Sequence, residues 1–153
     1  MSPFLSRQPI GLDEQGLSYS ILAAQSRVLQ LLGEGVAGRE VAAEICRIAA
    51  DRFSGVGCAI LAVDDAAPHL TLLAAAALPV EFTAELAGLE TAVARAVFRP
   101  LADGAPDFCE AMSEEPAFFP LRAAARIAGL ESCWTAAIHG VDTGAPGTFA
   151  GLV

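Results

Sequence analysis

The sequence predicts an α+β fold in which a mainly antiparallel sheet carries helices on both faces. Two observations predict it. Apolar side chains recur at helical spacing early in the chain, whereas two later pairs of short apolar runs are joined by turn residues, the mark of β-hairpins. The resulting order of helix, helix, hairpin, helix, mixed segment, helix, hairpin fits an antiparallel sheet with helices laid on it. Hydrophobic residues make up 54% of the 153 positions and charged residues only 18%. That composition excludes a solvated disordered chain and suits elements buried on more than one side, within a length that fits one domain.

Residues 1–16 are rich in Pro, Gly and Ser without periodicity and read as a flexible N-terminal arm, leaving 17–153 as a single domain. In the stretch 17–32, Leu17, Ile21, Val28 and Leu32 lie at helical spacing, and Leu22, Leu29 and Leu31 widen the stripe. This helix is expected to serve both its own domain and a partner helix. Gly33 and Gly35 stop it. A second helix, about 39–53, sets Val41, Ile45, Ile48 and Arg52 on one face. The run GCAILAVDD, a turn at Asp64, Asp65 and Pro68, and HLTLLAAAAL form the first hairpin. Pro79 begins a short helix, 80–89, with Phe82 and Leu86 on one side. Residues 91–101 are ambiguous, broken by Pro100, and lead through DGAP to an extended DFCEAM. A helix over about 117–128 ends at Gly129, followed by the strand ESCWTAAI, the turn DTGAPG and the strand TFAGLV.

Charge narrows the partners. The formal net charge is −9, and every basic side chain is an arginine, so nucleic acid and anionic membrane surfaces are repelled. The opening residues lack a signal-peptide pattern, and the apolar run LTLLAAAALPV is far shorter than the roughly 20 residues of a membrane-spanning helix. A cytoplasmic protein with reduced thiols is expected, since Cys46, Cys58, Cys109 and Cys133 include no C-x-x-C pair.

The segment EEPAFFPLRAAARIAGLESCWTAAI followed by GAPGTFAGLV resembles the GAF domain family, whose fold is related to that of PAS domains. The matching positions are Pro116, Phe118, Arg122, Gly129, Leu130, Cys133, Trp134, Gly147, Thr148, Phe149 and Ala150. GCAILAVDD resembles the family's first core strand and ALPVEFTAELAGL its following helix. The resemblance implies a non-enzymatic sensory or regulatory domain of a bacterial signal transduction protein, which binds a small molecule, forms a homodimer through helix 17–32, or does both. It names no cofactor. Two departures stand out. Where many relatives carry a glycine-containing turn beside the pocket, this chain reads RAVFRPL, and bulky Phe98 and Arg99 keep backbone amides from a ligand. The chain is also expected to stop short of the last strand and exit helix that such domains commonly use. A degenerate GAF scaffold serving association alone, with its cleft filled by Phe98 and its neighbours, is the competing expectation.

The ligand-binding set so implied is Cys58, Phe98, Phe108, Cys109, Phe118, Arg122, Cys133 and Thr135. On strand 131–138 side chains alternate, so Cys133 and Thr135 face the cleft while Trp134 packs beneath a helix on the other face. Phe98, Phe108, Phe118 and Phe119 supply an apolar wall or ordinary core. Arg122 and Arg126, one turn apart, form either a solvated ion-paired face or a fork for a carboxylate or phosphate. Cys109 and Cys133 flank the covering helix and are the best-placed pair for a thiol-based free methionine sulfoxide reductase, although that enzyme's cysteine motif is missing and structural thiols are the plainer reading. His69 and His139 read as exposed turn residues, with no pattern for zinc and no Cys-His pair for a bilin.

Overall fold

The computed structural model describes residues 14–64, 66–99, 105–138 and 148–152. They fall into two compact units, Met1–Val36 and Ala37–Val153. The first contains α1, Glu14–Gly33. Gly35, at φ 72°, ends it, with Gly35 N–H donating to Leu32 O at 3.1 Å and Val36 N–H to Leu31 O at 3.1 Å. These two bonds satisfy carbonyls that a helix end leaves free. Tyr19, Ile21, Leu22, Leu29 and Leu32 are all exposed along α1.

The second unit is built on one five-stranded antiparallel sheet. Its strands are β1 (Cys58–Ala62), β2 (Thr71–Ala76), β3 (Asp107–Cys109), β4 (Cys133–Ile138) and β5 (Thr148–Leu152), ordered β2-β1-β5-β4-β3. Both expected hairpins are present. The two hairpins join into one sheet because β5 pairs with β1 as well as with β4. Such a long-range pairing leaves no mark on local spacing.

Strand β1 divides the core. Cys58 and Ile60 belong to a cluster with Ala42 and Cys46 of α2 (Gly38–Arg52) and with Ala74 of β2. Ala59 and Leu61, one residue out of phase, join the larger cluster with Phe82, Leu86, Phe98, Met112, Phe118 and Leu121. A bulge between Ile60 and Leu61, where Leu73 is the extra residue on β2, keeps both sets in place despite the change of register. The α2 positions that face inward, Ala42, Ile45, Cys46 and Ala49, follow the three-and-four spacing of a helix stripe. Val41 is buried as well and Ile45 packs inward, as expected from the sequence, but the stripe against the sheet centres on Ala42 and Cys46, one position round from the expected Val41, Ile45, Ile48 line.

Three short helices belong to the larger cluster. Helix α3, Val80–Gly88, buries Phe82 and Leu86, as expected. The ambiguous stretch forms α4, Thr91–Val97, with Thr91, Ala94 and Val97 buried. Thr91 is also an anchor: its Oγ1 donates to Ala67 O at 2.8 Å and its N–H to Pro68 O at 2.9 Å. The helix expected over 117–128 divides into a tight turn, Pro116–Phe118, and α5, Phe119–Ile127. Gly129, at φ 73°, stops α5 and turns the chain toward β4, with Leu130 N–H bonding Ala125 O at 2.9 Å.

Candidate functional site

Between the sheet and the segment 112–125 lies an interior cavity walled by Ala59 and Leu61 of β1, Phe82 and Leu86 of α3, Phe98, Met112, Phe118, Leu121, and Cys133 and Thr135 of β4. Its volume is about 20 Å³, room for about one water molecule. The space is filled from the helical side. Phe98 and Phe118 are buried and meet edge to face, with ring centroids 6.1 Å apart and planes at 83°, the arrangement that aligns the positive edge of one ring with the negative face of the other. The hydroxyl in the wall is accounted for, because Thr135 Oγ1 donates to Asp107 O at 3.5 Å.

A larger hollow lies elsewhere. Glu110, Ser113, Arg122, Arg126, Gly129 and Glu131 border an open surface depression of about 470 Å³ at the C-terminal half of α5. Arg122 donates from Nη2 to Glu115 O at 3.2 Å and lies over the Phe119 ring at 5.6 Å. Its Nε is buried without a hydrogen-bond partner among the described residues. Arg126 and the two carboxylates give this depression both signs of charge.

The four cysteines are free and buried, and they meet in two pairs. Across β3 and β4, Cys109 stands directly opposite Cys133. Burial is the main cause that pushes the Cys109 thiol up, with the Glu115 and Asp107 carboxylates adding to it. Burial, then Cys109 and Asp107, push Cys133 up to about 12. Both are therefore held protonated at neutral pH, the opposite of a nucleophile prepared for attack. On the other face of the sheet, the Cys46 thiol hydrogen-bonds Cys58, which pushes Cys46 up and Cys58 down, the latter against the opposing effect of burial. Among the described residues, no group of three His, Cys, Asp or Glu side chains is placed to hold a metal, and no helix is long and apolar enough to cross a membrane.

No family model and no curated protein matches the sequence. A solved GAF domain, from a phosphoenolpyruvate-protein phosphotransferase of Coxiella burnetii, superposes on the structure with a TM-score of 0.61 at 12% identity, over 88% of this chain and 77% of that one. The fold is GAF-like.

Within this GAF-like fold, four of the eight residues singled out from the sequence come together: Phe98, Phe118, Cys133 and Thr135 all line the cavity. Cys109 belongs to the same cluster, one strand out. The others lie apart. Cys58 is on the opposite face of β1, packed with α2, because residues 58–61 are buried on both faces and a continuous apolar run gives no sign of which side a residue takes. Phe108, at 61% exposure, faces outward opposite Trp134. Arg122 borders the surface depression and not the cavity, since Leu121 and Ala125 are the α5 residues turned to the core. Trp134 is on the face opposite Cys133, as alternation requires, yet it is 43% exposed and not packed beneath a helix. Phe119 is exposed as well. His69 is exposed and forms an isolated bridge with Glu90, while His139 lies outside the described residues. Met112, Phe82 and Leu86 complete the wall; the Phe82 and Leu86 spacing was a visible signal, whereas Met112 sits in an irregular turn and gave none.

Proposed function

We propose that the chain is a GAF-type regulatory module of a bacterial signalling protein, without catalysis of its own, which serves association and whose helix-covered sheet holds no ligand beneath it. The observation that supports this is the filled interior: Phe98 and Phe118 leave about 20 Å³, where small-molecule sites commonly need about 300 Å³ or more. Association would run through α1. Leu22 and Leu29 are seven residues apart, Leu32 follows three later, and all three are exposed, the spacing of a two-helix seam. The partner is a second copy of the chain.

Sedimentation of the whole chain from low to high micromolar concentration tests this. A dimer is expected, with Leu22→Glu combined with Leu29→Glu giving a monomer of unchanged helical content. A wild-type monomer across that range overturns the association reading. A sulfoxide reductase is disfavoured by the protonated state of Cys109 and Cys133, and purified reduced protein is expected to leave free methionine sulfoxide unreacted.

One observation favours a second reading, in which a small carboxylate- or phosphate-bearing molecule is taken at the surface. Arg122 and Arg126 share the border of the depression of about 470 Å³, a volume that suits a metabolite. This reading predicts a saturable rise in melting temperature with such a ligand, lost in Arg126→Ala. Melting unaffected by a panel of nucleotides, carboxylates and amino acids excludes it and leaves the association reading standing.

A further inference from the structure

We propose that Cys109 and Cys133 form an oxidisable modification site, closing a cross-strand disulfide that staples the neck of the segment roofing the interior cavity. The inference is independent of the association reading and rests on strand register. Residues directly opposite on antiparallel strands have Cα atoms about 4.5–5.5 Å apart, inside the range of about 4.4–6.8 Å that a disulfide spans. Cys109 and Cys133 are such a pair, both turned to the same buried cluster. The position of the pair gives the bond a consequence. Just beyond it, Met112 N–H donates to Glu131 O at 2.8 Å, and the residues between those two positions supply Phe118 and Leu121 to the cavity wall. The cysteines thus sit where the roof leaves the sheet and returns to it.

The chemistry balances with a two-electron oxidant. Both S–H bonds break and one S–S bond forms, with two protons and two electrons passing to hydrogen peroxide, which becomes two waters, or to a diazene such as diamide, which becomes the hydrazine. Burial of the protonated thiols slows the step, because the thiolate is the attacking species. The site therefore answers sustained oxidation. Cys109 is the point of access, because it is 9% exposed on a three-residue edge strand, while Cys46 of the other pair is fully enclosed at 0%.

Peptide mapping tests the proposal on the full chain. Cleavage after arginine puts each of the four cysteines on its own peptide, so linkage is read directly by mass. Reduced protein is treated with peroxide or diamide, remaining thiols are blocked with N-ethylmaleimide in urea, and the digest is compared with and without dithiothreitol. The expected result is a reducible link between the Cys109 and Cys133 peptides, with slower amide exchange over 112–131 and a melting temperature raised by several degrees. Cys109→Ser is expected to leave Cys133 fully alkylated. Recovery of both cysteines as maleimide adducts after oxidation of the wild type, a link between two chains, or a Cys46–Cys58 link in its place overturns the proposal. The wild-type map decides even where the variant fails to fold.

Discussion

The two faces of β4 have been treated in opposite ways. Toward the cavity the strand turns Cys133 and Thr135, both small and both buried; outward it turns Trp134 and Ile138, both large, apolar and exposed. Side-chain hydrophobicity alone would assign the faces the other way round. What reverses them is volume. Phe98 and Phe118, delivered from the end of α4 and from the turn before α5, already occupy the space above the inner face, so only small strand residues fit beneath them at interior packing density. The GAF-like interior is therefore built as a jigsaw with its bulk on the roof.

Emptying the roof is the strongest way to break this comparison. Phe118→Ala is expected to destabilise the domain by about 3–5 kcal/mol and to enlarge the cavity, read as a lower urea midpoint at unchanged slope. A cost below about 1 kcal/mol would mean that the ring merely caps a space the chain does without.

Alkaline titration probes the inner face next. With Cys133 raised from an ordinary 9.0 to about 12 in the folded protein, the unfolded chain loses its thiol proton first. The stability due to the neutral buried thiol is whole below pH 9.0 and is lost as pH rises from there toward about 12. Cys109, raised for the same main reason, acts with the same sign. The expected loss is up to a few kcal/mol, measured by urea unfolding at stepped pH. Cys133→Ala should flatten that decline, and an equally steep decline in the variant would assign it to other groups.

A smaller effect is expected from the edge of the same cluster. A Cβ on Gly57 would meet the Leu78 side chain and come within 2.8 Å of Ala77 O. Leu78 packs against the cavity-side cluster, and Ala77 is already strained at φ 55°, so neither neighbour gives way freely. Gly57→Ala is expected to cost about 1–3 kcal/mol as overpacking, with thermal melting as the readout.

What the sequence disclosed follows from the range of the forces involved. Helix α2, the two hairpins and the Gly129 stop are set by residues close in the chain, and each was legible. So was the alternation along β4. Which face of β4 is wet was not, because that depends on rings arriving from residues 98 and 118. The role of Phe98 could be read because a bulky side chain stands where a glycine-bearing turn would open a pocket. Cys58 was misplaced because β1 is covered on both sides and its run CAIL carries no period. Helix α4 was obscured by Pro100, although the helix had already ended at Val97. The Cys109–Cys133 pairing needed β3 and β4 in register, a relation between segments on either side of a helix.

The smallest effects are expected on the outer face, where Phe108 and Trp134 are direct cross-strand neighbours and both stay wet. Each keeps much of its surface in water when folded, so Phe108→Ala and Trp134→Ala should each cost no more than about 1 kcal/mol, several times less than Phe118→Ala. What they share is the pair itself. Aromatic residues opposite one another on antiparallel strands couple by about 0.5–1 kcal/mol, so the double variant should be less destabilised than the sum of the singles by about that amount. Urea unfolding of the four proteins at concentrations where the chain is monomeric reads the coupling without interference from association. A coupling near zero would leave Phe108 and Trp134 as independent surface residues, and a single-variant cost approaching that of Phe118→Ala would show the outer face to be as tightly packed as the inner.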